Sequence, residues 1–431
     1  MFPALFVMVF LGIPIAFSLL ACAFLFGLPL YGMKIGLQMY AGITQTASQF
    51  LLSAVPPFVF MGFMLERSGI AERLFQAMQL WLGRLPGGLA LATLAMAAVI
   101  AAATGIVGAV EVVIGVMAIP AMLQLRYSRV LISGTICAGG SLGTMIPPSL
   151  VVVIYASVAN QSVGQLFAGV LAPAVVMVSL FFGYILSVCL IKPHLGPPAP
   201  EIAAVPLGRK LWITLTALIP AVVLILAVLG AIIAGIATPT EAASVGALGA
   251  LILTIVYRRF RWSVLSDTLR ETLLVNCMIL LIVVGGSMFA GVFRIHGGNQ
   301  LVAGLVEGLG LGETGLVLVL LAVVFVAGFI LDWVSVVLLC LPIYLPLLEA
   351  VGVDMVWFAV LMVIVIQTSY LTPPMAPSIF YLRSIAPPEI TFGDMYRGVT
   401  PFIICQVITL LVVFFWPPFA TWLPSVLVTG F

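Results

Sequence analysis

The sequence has 431 residues, of which 64% are apolar and 7% charged, and its formal net charge is +2. Soluble proteins carry roughly 25% charged residues, so the composition excludes an ordinary soluble protein and places the chain in a lipid bilayer. No nucleic acid is expected as a partner. At about 20 residues per helical span plus loops, the length allows about ten to fourteen membrane elements.

The chain opens on an apolar stretch from Phe2 to Gly27 that follows Met1 directly. We interpret it as a first membrane span, and no cleavable leader is evident. The six cysteines lie singly in apolar segments and the two histidines are isolated, so neither a zinc site nor a disulfide framework is predicted.

The first half contains a candidate helical hairpin at about 87–124, followed by a candidate discontinuous helix at about 129–160. Basic residues border the hairpin at Arg84, Arg126 and Arg129. Because basic loops favour the cytoplasmic side, we expect a re-entrant hairpin that opens to the cytoplasm. The adjacent Pro147-Pro148 pair interrupts the following apolar run, which predicts a break in that helix.

A Pro-rich segment from Lys192 to Gly208 divides the chain near residue 205. We therefore predict two units, 1–205 and 206–431, each with its own scaffold helices. Two apolar spans follow the divide, with Arg209-Lys210 before them and Arg258-Arg259 after them. The positive-inside tendency places both basic ends in the cytoplasm.

The second half predicts the same two elements, a hairpin at about 315–348 and a discontinuous helix at about 354–386 that is broken at Pro373-Pro374. Acidic residues border this hairpin, at Glu307, Glu313, Glu349 and Asp354. We expect it to open to the outside. The alternative in both halves is a pair of ordinary short spans.

The spacing of the prolines indicates a duplication. Pro120 and Pro342, and Pro148 and Pro374, are separated by nearly the same distance along the chain (342 − 120 = 222 and 374 − 148 = 226). Because the first hairpin is bordered by basic residues and the second by acidic ones, we expect the duplication to be an inverted repeat. A break inside a bilayer leaves backbone groups that only protein or a water-filled cavity can cover. The paired breaks therefore predict a transporter binding site.

Small and hydroxyl residues at the hairpin turns and beside the breaks predict cages of carbonyl and hydroxyl oxygens, the ligands that an alkali cation prefers. Close helix packing is the alternative role for these residues. The sodium candidates are Thr104, Gly105, Gly108, Gly139, Ser141, Gly143, Gly328, Asp332, Ser335, Thr368, Ser369 and Thr372.

Each Pro-Pro pair suits the first turn of a new half-helix, whose free N-H groups and positive dipole end favour an anion. We expect a carboxylate substrate to bind there without a deep arginine. The substrate candidates are Thr144, Pro147, Pro148, Ser149, Pro373, Pro374 and Ser378.

Two acidic residues stand inside apolar segments, where carboxylates are costly and usually functional. Asp332 is expected to coordinate a cation or to carry a coupling proton, with a structural hydrogen bond as the alternative. Glu111 faces either its hairpin partner or a cavity. Thr238-Pro239-Thr240-Glu241 fits a capping box. Arg383 is interpreted as an interfacial anchor.

No motif supports an enzyme, because the sequence has no His-Glu-x-x-His, no Gly-rich nucleotide loop with Lys and no base for a nucleophile. An organic cofactor is not expected. The predicted fold class is an all-α polytopic membrane protein, an inverted-repeat elevator-type transporter with two re-entrant hairpins and two discontinuous helices.

Seven short segments in a shared order resemble the large membrane subunit (DctM-like) of tripartite ATP-independent periplasmic (TRAP) transporters. They are Pro56 to Gly62, Ser68 to Ile70, Met117 to Met122, Gly143 to Ser149, Ala237 to Ala243, Leu341 to Ile343 and Leu371 to Pro374. Two departures are Met375-Ala376-Pro377 after the second Pro-Pro pair and Glu111 at a position that is often small in the family.

The resemblance implies sodium-driven import of an organic acid that a periplasmic substrate-binding protein delivers, by an elevator mechanism in a bacterial inner membrane. It implies a small four-helix membrane subunit as a partner, expected as a separate chain because no such extension precedes Met1. The alternatives are a self-sufficient sodium- or proton-coupled carboxylate carrier and a channel-like membrane subunit. The departures leave open a dicarboxylate, a 2-oxoacid or a sugar acid as substrate.

Overall fold

The computed structural model describes residues 1–105, 107–198, 205–308, 310 and 312–427, and these fold as α-helices and short 3-10 turns without a β-strand. The predicted all-α class is confirmed. The helices are α1 (Phe2–Phe10), α2 (Ile15–Tyr31), α3 (Ile35–Ala47), α4 (Val55–Arg67), α5 (Ile70–Leu82), α6 (Gly88–Thr104), α7 (Val107–Gln124), α8 (Arg129–Ser141), α9 (Leu150–Ala159), α10 (Val163–Ile191), α11 (Leu207–Ile233), α12 (Pro239–Val256), α13 (Trp262–Ile295), α14 (Gly298–Gly308), α15 (Glu313–Ala327), α16 (Trp333–Val351), α17 (Met355–Leu371), α18 (Pro377–Ile385), α19 (Phe392–Phe415) and α20 (Pro418–Leu427).

Seven helical segments in the described part of the chain are long and apolar enough to cross a membrane. The longest is α13, whose 34 residues extend about 50 Å at 1.5 Å per residue. That length exceeds a hydrocarbon core of about 30 Å. Polar residues near its start are paired, since Arg67 of α4 lies 2.6 Å from Glu271.

The same order of elements occurs twice. A helix (α4 or α13) is followed by a short helix (α5 or α14), a helical pair (α6–α7 or α15–α16), an interrupted helix (α8–α9 or α17–α18) and a long helix (α10 or α19). Gly105 ends α6 with φ 62°, a left-handed conformation that glycine adopts without a steric penalty. This residue lets the chain turn directly into α7.

The two halves contact each other crosswise through these elements. Helix α7 of the first pair packs against α18, and α16 of the second pair packs against α9. Thus the second helix of each pair contacts the second segment of the interrupted helix in the other half. The shared core lies at this crossing, where α6, α8, α9 and α17 are almost entirely buried.

Helix α12 shows how the sequence determines a helix start. Thr238 accepts a hydrogen bond from the N-H of Glu241, and the Glu241 carboxylate accepts one from the N-H of Thr238 at 2.8 Å. Pro239 occupies the first turn, where its missing N-H costs nothing. The predicted capping box is confirmed.

Two sequence predictions fall partly outside the described residues. The divide near residue 205 adjoins 199–204, and the side chain of Glu307 in the acidic flank is not described.

Candidate functional site

A cavity of about 460 Å³ lies where both helical pairs and both interrupted helices meet. Val107 and Gly108 of α7 line it from the first pair, and Gly328 and Asp332 line it from the second. Residues of α2, α9, α13, α17 and α18 complete its wall. The cavity is therefore lined by residues from distant parts of the chain. It lies beside the interruptions of the two helices, where backbone N-H and C=O groups have no partner within the helix.

The turn of each helical pair is in contact with the interrupted helix that follows it. A Cβ on Gly105 would meet the carbonyl oxygen of Pro148 and the N-H of Leu150. A Cβ on Gly328 would overlap the Oγ of Ser369. A side chain at either turn would crowd the neighbouring break, and the positive φ of Gly105 also favours glycine there.

Asp332 is the charged residue among the described residues that line the cavity. It is the N-cap of α16, and its carboxylate accepts hydrogen bonds from the N-H groups of Val334 at 3.1 Å and Ser335 at 3.4 Å, and from the Ser335 hydroxyl at 2.5 Å. The structural role that we considered for this residue is therefore present. The side chain remains exposed to the cavity, so capping and ligand binding are compatible.

Hydroxyl residues at the end of α17 and at its C-cap lie beside the second break. Thr368 and Ser369 donate to carbonyl groups one turn earlier, those of Ile364 and Ile366, and Thr372 donates to Thr368 at 2.6 Å. These hydroxyl oxygens keep lone pairs for a cation. Only Ser369 of the three lines the cavity.

The sodium candidates Thr104, Gly139, Ser141 and Gly143 of the first half are buried. Thr104 lies at the end of α6, and its Oγ1 is buried without a hydrogen-bond partner among the described residues. Gly139 and Ser141 lie in the last turn of α8, with Gly143 in the 3-10 turn that follows. An unpaired buried hydroxyl beside small residues fits an oxygen ligand for a small cation.

The expectation that each half-helix begins at its Pro-Pro pair is wrong. Helix α9 begins at Leu150, because the preceding Ser149 is extended with φ −109° and ψ 132°. Helix α18 begins at Pro377, after Ala376 with φ 40°. The Pro-Pro pairs therefore lie in the connecting segments 145–149 and 372–376, before the free N-H groups.

The substrate candidates consequently differ in how exposed they are. Thr144, Pro147, Pro148 and Ser149 are buried at the first break, where Ser149 donates to the carbonyl of Thr144 at 2.5 Å. At the second break Pro373 and Pro374 are exposed. Ser378, in the first turn of α18, is buried and donates to Glu111.

Sequence reasoning missed three polar residues at this centre. Gln367 and Gln406 both donate to Ser141, at 3.2 and 3.4 Å, and Tyr370 lines the cavity. A glutamine in an otherwise apolar membrane helix was the available signal for Gln367 and Gln406. Tyr381, seven residues after the second proline of the second Pro-Pro pair, lines both the main cavity and an adjoining cavity of about 390 Å³.

Arg383 does not line either cavity as described. Its guanidinium donates to the carbonyl of Ile390 at 3.0 Å and lies over the ring of Phe392. The residue thus holds the connection between α18 and α19.

Comparison with known proteins identifies the family that this chain resembles. The model of the family described as "Tripartite ATP-independent periplasmic transporter, DctM component" matches residues 2–419. The chain is 28% identical over 386 residues to the C4-dicarboxylate TRAP transporter large permease protein DctM of Pseudomonas aeruginosa, covering 88% of each chain. It is 29% identical over 425 residues to the sialic acid TRAP transporter large permease protein SiaM of Vibrio cholerae, covering 97% of this chain and 96% of the relative.

A solved structure shares the fold. The YdaH transporter of Alcanivorax borkumensis, described as having an unusual topology, superposes with a TM-score of 0.64 over 98% of this chain and 100% of that one, at 14% identity. At that identity the similarity concerns the fold alone.

Proposed function

The chain belongs to the DctM component family of tripartite ATP-independent periplasmic transporters, and from this premise we propose that it imports an organic acid by coupling to sodium. It is a multi-pass membrane protein and the large permease subunit of such a system. The observation that carries the finer proposal is the cavity at which both helical pairs and both interrupted helices meet around Asp332.

Sodium is supported by the chemistry of the side chains at this centre. Asp332 and Ser369 line the cavity, and at the other helical pair the buried hydroxyl of Thr104 has no hydrogen-bond partner among the described residues. Hard oxygen ligands of this kind suit an alkali cation. In the described residues there is no group of three or more His, Cys, Asp or Glu side chains, the set that a transition metal prefers.

An organic acid is supported by the named relatives, which transport a C4-dicarboxylate and a sialic acid. Helix α18 begins at Pro377 beside the cavity. Its free N-H groups and dipole attract a carboxylate, while a sodium ion near Asp332 offsets the charge of the aspartate. Cation and substrate would therefore bind together, which is the thermodynamic basis of coupling.

We further propose an inverted repeat that moves as an elevator. The crosswise contacts of α7 with α18 and of α16 with α9 join the two helical pairs and the two interrupted helices into one body. Outer helices such as α11 and α12, which expose Val223, Leu226, Val245 and Leu248, form the scaffold. A small membrane subunit and a periplasmic binding protein complete the assembly in a bacterial inner membrane.

The test is reconstitution of the permease with its small subunit in liposomes, with an inward sodium gradient and a panel of labelled C4-dicarboxylates, 2-oxoacids and sialic acid. We expect little uptake until the cognate binding protein is added outside, and none when potassium replaces sodium. Robust uptake without the binding protein would instead favour a self-sufficient carrier. Uptake that never exceeds equilibration would favour a channel-like subunit.

A further inference from the structure

Glu111 is a fully buried carboxyl group in α7, 0% exposed. The hydroxyl of Ser378 in α18 donates to its Oε1 at 2.5 Å. The other oxygen, Oε2, is buried and has no hydrogen-bond partner in the part of the chain that the structure describes. Buried polar atoms are rarely left unpaired, so this atom requires an explanation.

The surrounding helices leave a space shaped for this side chain. Gly140 of α8 faces Glu111, and a Cβ on Gly140 would overlap the Cγ of the glutamate. The titratable groups close to the carboxyl are Cys137 of α8, Tyr370 of α17 and Tyr381 of α18. All three are neutral in their protonated form, so none supplies a positive charge.

Cations on the helices packed against α7 are engaged elsewhere. Helix α5 carries Glu72, which pairs with Arg259, and Arg73, which lies over the ring of Tyr257. Helix α6 and the 142–144 turn contain no titratable side chain.

The other cations on the helices packed against α7 are one arginine of α8 and one of α18. Arg129 is exposed at the start of α8, and Arg383 of α18 bonds to Ile390. A buried carboxylate without a cation is costly, whereas a protonated carboxyl is neutral.

The carboxyl lies one helical turn behind the cavity wall. Gly108, three residues before Glu111 on α7, lines the cavity. Tyr381, three residues after Ser378 on α18, lines it too, and its ring packs on Gly108. Positions three apart share a helix face, so the Gly108–Tyr381 contact lies between Glu111 and the cavity.

We propose that Glu111 is a proton-binding site that loads and releases one proton during the transport cycle. A proton from water adds to Oε2 and converts the carboxylate to a neutral acid. Movement of the Tyr381 ring off Gly108 then admits water to the acid, and the proton returns to water. This goes beyond sodium coupling, since the proton is a further coupling ion held at the contact between the first helical pair and the second interrupted helix.

The direct test is infrared difference spectroscopy of the full-length chain in lipid, recorded during a pH titration with and without sodium. We expect a carbonyl band of a protonated carboxyl that disappears on alkalinisation and is absent in Glu111→Gln. Glutamine has nearly the same size and still accepts the Ser378 hydrogen bond. Ser378→Ala should shift the frequency of this band, while Asp332→Asn should leave it in place.

This measurement does not depend on uptake, so it distinguishes failure of the proton site from failure of the proposed transport function. A band that is present at every pH would show a permanently protonated structural acid and overturn the proposal. The absence of a band that depends on Glu111 would overturn it as well.

A second readout is uptake at equal internal and external pH, varied across the neutral range. The rate of the unmodified permease should change severalfold with pH, and Glu111→Gln should give a flat profile. A Glu111→Gln profile parallel to that of the unmodified chain would contradict the proposal, even if its overall rate were lower.

Discussion

Gln367 donates a hydrogen bond from its Nε2 to the Oγ of Ser141 at 3.2 Å. Each residue precedes the second proline of its own Pro-Pro pair by the same interval (148 − 141 = 7 and 374 − 367 = 7). In the inverted repeat that we propose, the two are equivalent positions, and a contact between equivalent positions is expected where a two-fold axis relates the two copies. The reciprocal contacts of α7 with α18 and of α16 with α9 obey the same relation.

If that axis lies in the membrane plane, the two helical pairs open to opposite sides. Gln124, at the end of α7, and Thr314, at the start of α15, are both exposed neutral residues. Single cysteines at these positions in a cysteine-free background should react with an impermeant maleimide from the cytoplasm and from outside, respectively. Reaction of both from the same side would refute the inverted repeat.

Asp332 has two roles that substitutions can separate. Asn caps a helix as well as Asp does, so the melting temperature of Asp332→Asn should be close to that of the unmodified protein. Loss of a charged contact costs about 1.5 to 3 kcal/mol, so its sodium concentration for half-maximal uptake should rise about tenfold to a hundredfold.

Asp332→Ala is the matched variant for the same residue. It removes both charge and cap, and should also lose about 1 kcal/mol of stability. Sodium dependence that stays unchanged in well-expressed Asp332→Asn would assign the residue to capping alone.

Helices α8 and α19 approach each other through a pair of glycines. A Cβ on Gly134 would overlap the carbonyl of Gly398, a backbone group that cannot rotate away. We expect Gly134→Ala to destabilise the fold by about 1 to 3 kcal/mol, seen as a lower melting temperature. Gly183→Ala is the control, since no atom of the described residues lies within 4 Å of a Cβ there and alanine favours helix.

The capping box of α12 should matter for stability and not for transport. Thr238→Ala removes the acceptor for the Glu241 N-H and should cost about 1 kcal/mol. Both quantities should be measured on the same preparation: we expect a lower melting temperature and unchanged uptake. A large change in sodium affinity with an unchanged melting temperature would give Thr238 a functional role instead.

Sequence patterns predicted the helical class because apolar composition, proline breaks and caps are local properties. The residues at which the helices begin beside the breaks were harder to predict from the sequence. Proline is compatible with a first helical turn, but the extended backbone of Ser149 and the left-handed Ala376 delay α9 and α18. Those conformations depend on packing against the opposing helix, which local sequence does not encode.

The candidate functional site was likewise predictable only in part from the sequence. The sequence drew attention to Asp332 and Glu111, since carboxylates in apolar segments are conspicuous. It did not reveal that Ser378 bonds to Glu111, because 267 residues separate them. Nor could it show that Gly140 leaves room for that carboxyl, since the contact exists only after α7 and α8 pack.

The wall between the two cavities has a consequence for the passage of solvent. Leu331, Asp332, Pro377 and Tyr381 line both, so the partition is a single layer of side chains. Tyr381 is 45% exposed, but its ring packs on Gly108, so it can leave this position only when that packing loosens, and collective motions of this kind take microseconds to milliseconds. Movement of this one ring would join the two cavities into a continuous vestibule, so water would enter the centre on the timescale of transport itself.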